Sequence, residues 1–513
     1  MNFLKTHRHF LFFILFSTAI RLANITDSLF FTWDNGRDFF AVKQIVEGNL
    51  TLIGPTSGLH GFFLGPLWFY LGIPGYLLSG ASPYGFSIAY ILLGLTSLPL
   101  FWVISHKLFK NQQLAKLSAY VLSIIPGSIW GTIRVWNPLI SIPLMSGVFL
   151  SLLKARESRL YLGLAFFLLG LTLQSEFAYA IFYSVVLFTL IPWIRKKFDI
   201  RDFLIAGFSF GSTLLPQIIF EIRHNFIMSN SLLKSMLGDN QEKITWAHHF
   251  SQRPSQLLMA TKDLFIRGGS ESIWPALILL LFIIVGFYVA INTNKFSKEK
   301  GSLFAWKLIA VLAILPYPFY LVWKGNNGYF FDYYLTSHFI FLAPLLIMGA
   351  VKIYHLNKIG KFKFKNYSKY FVVAMIGFFG AYCYQSLYVT TLKPINNAGL
   401  KTMDTAVSKI YTWIDVDKQN PGIIRIFTPN TQTEHYDAIV HWRANKMHRN
   451  IPITVKNDSD KYWYVLIEPD YQLEKRLNKW YAEVIGGGVR TRVEMVGDLR
   501  IESWIKKDFV ENK

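Results

Sequence analysis

The segment WDNGRDFFAVKQIVEGNLTLIGP (33–55) sets Asp34 and Asp38 four residues apart, with Arg37 beside the second. On a helix, that spacing puts both carboxylates on one face. A carboxylate held where water is partly excluded gains basicity, which suits a general base. The same residues also fit a solvated loop carrying an ordinary Asp–Arg pair. GTIRVWNP (131–138) contributes Arg134, which would either snorkel to lipid headgroups or bind a lipid phosphate. FEIRHNF (220–226) gathers Glu221, Arg223 and His224. Arginine and histidine donate well to phosphate oxygens, but arginines are also common where helices leave a membrane. Glu176 in LQSEFAY and Asp332 in GYFFDYY are acids beside apolar runs, where an isolated carboxylate is costly. Both lie near one membrane boundary, which leaves a hydrated or structural role open. The histidines are scattered apart from His248-His249, and no His-Glu-x-x-His spacing occurs. No dedicated metal site is readable. A divalent ion on the acids is conceivable chemistry, but one or two carboxylates are too few to specify it.

The elements that must position these residues are mostly apolar. Of 513 residues, 52% are hydrophobic and only 16% charged, with a mean hydropathy of +0.32. Soluble proteins carry about 25% charged residues, so a disordered or ordinary cytosolic chain is excluded. The 52 Lys+Arg against 31 Asp+Glu, a formal +21, could suggest nucleic acid. In a chain this apolar, a membrane surface is the better partner. The lone Cys383 excludes an intramolecular disulfide framework and any multi-cysteine metal site.

Apolar runs near 8–26, 84–105, 116–133, 138–153, 159–175, 177–194, 203–222, 273–292, 303–323, 332–351 and 370–389 read as eleven spans. The stretch 62–80 is apolar too, but its prolines and glycines suit a re-entrant or interfacial segment better than a straight spanning helix. With the amino terminus inside, the inner loops collect 21 basic residues and the longer outer segments 10. This is the positive-inside asymmetry, and a crossing at 62–80 would scramble it. The expected topology therefore has the amino terminus cytoplasmic and the carboxyl terminus outside. Arg21 and Leu22 stand where a signal-peptide cleavage site would need small residues, so the first span is expected to be retained. Asp34, Arg37, Arg134, Arg223 and His224 all fall on the outer side of this topology.

The expected domains are a membrane catalytic region, 1–390, and an extracytoplasmic α/β domain, 391–513. In the second, helix-like stretches at 400–417, 433–446 and 471–484 alternate with strand-like 422–427, 462–468, 491–496 and 499–504. Gly486-Gly487-Gly488 lacks the Gly-Lys-Ser/Thr of a phosphate loop and reads as a hairpin or flexible turn.

As an ordered set, WDNGRD with IVEGNLTLIGP, GFFLGPLWFYL, RVWNP and FEIRHNF resembles the GT-C superfamily of integral-membrane glycosyltransferases. The nearest group is that of bacterial protein O-mannosyltransferase-like and lipid A aminoarabinose transferase-like enzymes. MDTAVSKIYTWI and AIVHWRANK resemble the outer domain of bacterial relatives, so the resemblance spans nearly the whole chain. It implies a mainly α, polytopic enzyme in the cytoplasmic membrane that inverts a sugar's anomeric centre in one displacement. Asp34 would be the general base, with Asp38 a possible second acid. The donor would be a polyprenyl-phosphate sugar, hexosyl or pentosyl, and the acceptor a lipid, polysaccharide or protein. Arg37, Arg134, Arg223 and His224 would meet the donor phosphate. Pro66, Trp68 and Tyr70 would belong to the segment shaping the sugar pocket, the aromatics either stacking or anchoring. Two departures stand out. Leu64-Gly65-Pro66-Leu67 lacks the phosphate-binding lysine of many relatives, and Asn137 stands near where a second acid is often found. Two readings of another class remain: a flippase for lipid-linked sugars, and a non-catalytic envelope assembly protein.

Overall fold

The computed structural model describes residues 2–58, 61–237, 245–267, 273–292, 300–324, 330–358, 380, 384, 399–419, 422–451, 461–470 and 473–509. The described residues are mainly helical, with one four-stranded sheet. Among the described residues, five helices are long and apolar enough to cross a membrane: His7–Asp27, Pro83–Leu108, Asn137–Ala155, Trp274–Ile291 and Leu303–Val322. Two bent pairs would raise that to seven, Gln112–Ile124 with Pro126–Ile133 (53°) and Ile200–Thr213 with Leu215–Arg223 (62°). Arg159–Ser175, Phe177–Thr189 and Phe339–Tyr354 are shorter apolar helices. This is the build of a multi-pass membrane protein. The expected span at 370–389 lies outside the described residues except for 380 and 384. The segment expected to be re-entrant is an irregular stretch followed by the helix Leu67–Leu78, with Pro74 inside it.

Both bends have a local cause. A proline in a helix's first turn needs no backbone donor but cannot continue the preceding helix. Pro126 and Pro216 each stand at that position.

By its contacts the chain falls into two compact units. The first comprises 1–23, 51–68 and 91–392. Its apolar core runs through Phe101, Leu122, Phe149, Phe166, Leu308 and Phe341. Two polar clamps set its bends. Arg21 is 1% exposed. It donates from Nε to Thr132 Oγ1 (2.7 Å) and from Nη2 to the Ser123 carbonyl (2.8 Å) and Ser128 Oγ (2.9 Å). A single planar fork thus ties both halves of the helix broken at Ile125, a geometry that an ammonium does not offer. Gln174 performs the same service at the second bend. Its Nε2 donates to the Thr213 carbonyl at the break, and its Oε1 accepts from Leu67 N (3.2 Å). Its own carbonyl accepts from Gly65 N (3.2 Å). One side chain therefore fixes both the irregular stretch before Leu67 and the bent helix.

The second unit comprises 24–50, 69–90 and 393–513. Its sheet has the order β1-β2-β4-β3, from Ile423–Phe427 (β1), Tyr462–Ile467 (β2), Gly488–Val496 (β3) and Leu499–Lys506 (β4). β1 and β2 are parallel; β2–β4 and β4–β3 are antiparallel. Ile423, Phe427, Trp463, Val465 and Ile467 pack with Leu477 and Ile485 of the helical stretch between β2 and β3. Gly486 (φ 69°) is the left-handed cap of that stretch and Gly488 opens β3, so the glycine run is a turn but not a hairpin. The hairpin is the Gly497-Asp498 turn, with positive φ (60°) at Gly497. The earlier stretches are tied to the later one by polar contacts. Arg443 holds Asp404 through Nε and Nη2 (2.5 Å each), and Tyr84 donates to the same carboxylate (3.2 Å). Leu400 N donates to the Leu29 carbonyl (3.1 Å), and Lys401 pairs with Asp27 (2.6 Å).

Candidate active site

The helix Trp33–Val46 begins with a capping box. Asn35 Oδ1 accepts from Thr32 N (2.8 Å), and the Thr32 side chain caps Asn35 N in return. This places Asp34 in the first turn, where the exposed amide dipoles favour a negative charge. Arg37 lies one turn on, between two carboxylates. Its Nη1 is 2.8 Å from Asp34 Oδ1, while Nε and Nη2 reach Asp38 Oδ1 at 2.9 and 2.7 Å. The Trp33 ring lies under the guanidinium at 5.3 Å. The side chains of Asp34, Arg37 and Asp38 are 45%, 23% and 2% exposed. The three residues thus form a graded stack, with a buried carboxylate, a bridging cation and a carboxylate presented to solvent. Burial works against the Arg37 charge, but the two carboxylates outweigh it and hold its pKa above the ordinary value.

Spacing alone foresaw the shared face but not the division of labour. Asp38, expected as a second acid, is buried and binds Arg37 through one oxygen. All three Arg37 nitrogens point at carboxylates.

In the first unit, Arg134 caps the helix Pro126–Ile133 and lies over Trp130 (5.2 Å) and Trp136 (4.2 Å). Arg267 also lies over Trp130, at 4.1 Å, and Trp136 meets Tyr333 edge-on at 5.5 Å. The result is a ladder of alternating guanidinium and aromatic groups. Arg267, Trp130, Trp136 and Tyr333 of this ladder line a small concavity whose other walls include Asp263, Asp332, Thr336 and the backbone of Gly127 and Gly131. Asp332 is 3.6 Å from Arg267 and Asp263 is 3.2 Å from Lys262. Burial raises the pKa of Asp263 against the pull of Lys262. Asp263 and Arg267 were absent from the sequence expectation. Their one signal was an i, i+4 acid–base pair in KDLFIR, which reads first as a solvated helix face.

Arg223 and His224 stand elsewhere in this unit, at the exposed end of the helix Leu215–Arg223. His224 stacks on Phe220 (4.0 Å), and its Nδ1 lies 2.8 Å from the Phe220 carbonyl. Glu221 turns back to accept from Met228 N (2.8 Å) and Ser229 N (2.9 Å). Pro66 and Trp68 of the segment expected to be re-entrant are buried. Tyr70 keeps partial exposure. Glu176 is buried at the junction of two helices. Among the described residues, no group of three His, Cys, Asp or Glu is arranged to hold a metal ion.

No family model matches the chain, and no curated protein matches it. The solved structures that match include two of ArnT from Cupriavidus metallidurans, both at a TM-score of 0.56 and 10% identity. The apo structure is covered over 97% of its length by 96% of this chain. The structure bound to undecaprenyl phosphate is covered over 98% by 97% of this chain. The fold is thus like that of ArnT over essentially the whole chain, as the resemblance to lipid A aminoarabinose transferase-like enzymes implied.

Proposed function

We propose that the protein is an inverting glycosyltransferase of the cytoplasmic membrane. It would transfer a sugar from a polyprenyl-phosphate donor to an acceptor hydroxyl at the outer face. The observation that carries this reading is the Asp34–Arg37–Asp38 stack, with one solvent-facing and one buried carboxylate, in a chain folded like ArnT. That ArnT has been seen with undecaprenyl phosphate supports the donor class.

Asp34 takes the acceptor proton as the acceptor oxygen bonds to the anomeric carbon. The bond from that carbon to the phosphate oxygen breaks on the opposite side, and the polyprenyl phosphate leaves with the electron pair. Arg37 orients Asp34, and Asp38 holds Arg37 in place. Within the first unit, Arg134 and Arg267 on the same indole are suited to hold a lipid phosphate, since guanidinium groups bind phosphate oxygens through paired donors. Arg223 and His224 are exposed donors for a second phosphate contact.

The test compares wild type with Asp34→Asn, using purified protein, radiolabelled polyprenyl-phosphate sugars and a membrane extract as acceptor source. Wild type should transfer label, and the variant should lose roughly a hundredfold or more, the usual scale of a general base. Equal transfer by both would remove Asp34 from that role. No transfer by wild type, with labelled lipid crossing liposome bilayers, would replace the enzyme with a translocator.

A further inference from the structure

Within the second unit, the reactive helix rests on the carboxyl-terminal portion of the chain at one tight place. A Cβ on Gly36 would overlap the Glu434 carbonyl and the His435 nitrogen. Gly36 is an ordinary helical residue, so what it supplies is space for a backbone-to-backbone approach. One turn on, Phe40 meets His441 edge-on at 5.4 Å, which keeps Trp33–Val46 and Glu434–Lys446 in register. The first turn of Glu434–Lys446 is itself held from behind. His435 is 4% exposed and packs on Tyr436 at 4.2 Å. Its Nε2 lies 3.9 Å from Glu468 Oε2, just past the end of β2. Thr433 Oγ1 donates to Asp437 Oδ2 at 2.7 Å.

This turn follows the carboxyl end of β1, whose parallel partner β2 ends beside it. Open α/β sheets characteristically place their ligands at that edge. Here it carries a helix from the beginning of the chain, and Gly36 sits in the middle of Asp34–Asp38.

We propose that the Glu434–His435 turn is a positioning element for Asp34 and Arg37. Acting through Gly36, it sets the depth and rotation of the helix that carries them. The carboxyl-terminal α/β portion is then part of the catalytic apparatus. This rests on Asp34 being the base. A methyl group at residue 36 would push the helix off the turn, and the contacting atoms are backbone, so no neighbouring rotamer relieves it. Misplacing a catalytic group by about 1 Å costs on the order of a hundredfold in rate.

Two measurements on the full-length protein test this. In the transfer assay, Gly36→Ala should lower kcat by about a hundredfold, with the donor KM unchanged within about twofold. Gln44→Ala, on the exposed face of the same helix, should behave like wild type. An unchanged kcat for Gly36→Ala would overturn the proposal. The second measurement needs no activity. In hydrogen exchange of the wild type under mild denaturant, amides of 33–46 and 434–440 should open together as one unit. Independent, faster opening of 33–46 would overturn the proposal even if Gly36→Ala failed to fold. Joint opening with an active Asp34→Asn would sink the catalytic reading and leave the mechanical coupling standing.

Discussion

At the residue scale, the informative feature is that Arg37 is shared. A guanidinium between two carboxylates fixes both, but the two are not equivalent, because Asp38 is 2% exposed and Asp34 is 45% exposed. Removing the buried partner should cost stability as well as rate. Asp38→Asn keeps an acceptor oxygen but loses the charge, so Arg37 turns wholly to Asp34 and quenches it. Transfer should fall at least tenfold. Thermal unfolding in detergent should fall by the equivalent of about 1–3 kcal/mol, the scale of a hydrogen bond to a charged group. Arg37→Lys should lower transfer while leaving unfolding closer to wild type, because one ammonium cannot span both acids. If Asp38→Asn matches wild type in both measurements, the stack is a surface ion pair and nothing more. The i, i+4 spacing was legible in the sequence, because it depends only on helix geometry. The burial difference was not legible, since it depends on distant stretches that pack against the helix, as Tyr76 and Phe86 pack on its Phe39. The Glu434–His435 contact left a single trace, a glycine inside a helix, because backbone contacts select for no side chain.

At the element scale, the broken helices turn apolar runs into a scaffold. The runs at 116–133 and 203–222 have the length and composition of continuous spans, and as hydrophobic segments they were readable at once. Their 53° and 62° bends follow from Pro126 and Pro216, but the sequence does not say what satisfies the carbonyls released at each break. Arg21 and Gln174 do so, and each is more than 100 residues or about 40 residues from the groups it joins. From the sequence Arg21 only argues against a cleavage site, and Gln174 gives no signal of its own. Gln174→Leu retains the volume but leaves the Thr213 carbonyl and Leu67 N without this partner in an apolar setting. Each such loss costs about 1–3 kcal/mol, so unfolding should occur at distinctly lower temperature. The amides of 61–67 and 213–217 should also exchange faster together. Unchanged exchange in either stretch would show that the Gln174 link does not couple them.

At the scale of the whole molecule, the distribution of charge makes a claim about sidedness that individual helices do not. The inner loops expected from the sequence hold 21 basic residues, and the outer segments hold 10 although they are longer. That asymmetry depends on 62–80 not crossing the membrane. The helix Leu67–Leu78 has 12 residues, about 18 Å at 1.5 Å per residue, against a hydrocarbon core of about 30 Å. The length is short for a crossing, which agrees with the charge argument. Single cysteines in a Cys383→Ser background, probed with a membrane-impermeant maleimide on intact cells, would decide the matter. Asn49→Cys should label from outside, and Asn111→Cys only after permeabilisation; both positions are exposed. If 62–80 crossed, the two would label from the same side. Lys363→Cys should be inside and the exposed Lys446→Cys outside, because the apolar run 370–389 lies between them. Labelling of both from one side would remove that run from the spans. It would also separate the carboxyl-terminal portion from the outer face, where a polyprenyl-phosphate sugar would have to meet Asp34. Reversal of every position would invert the topology and with it the proposed location of the reaction. The excess of +21 would then need the acidic partner that its magnitude first suggests.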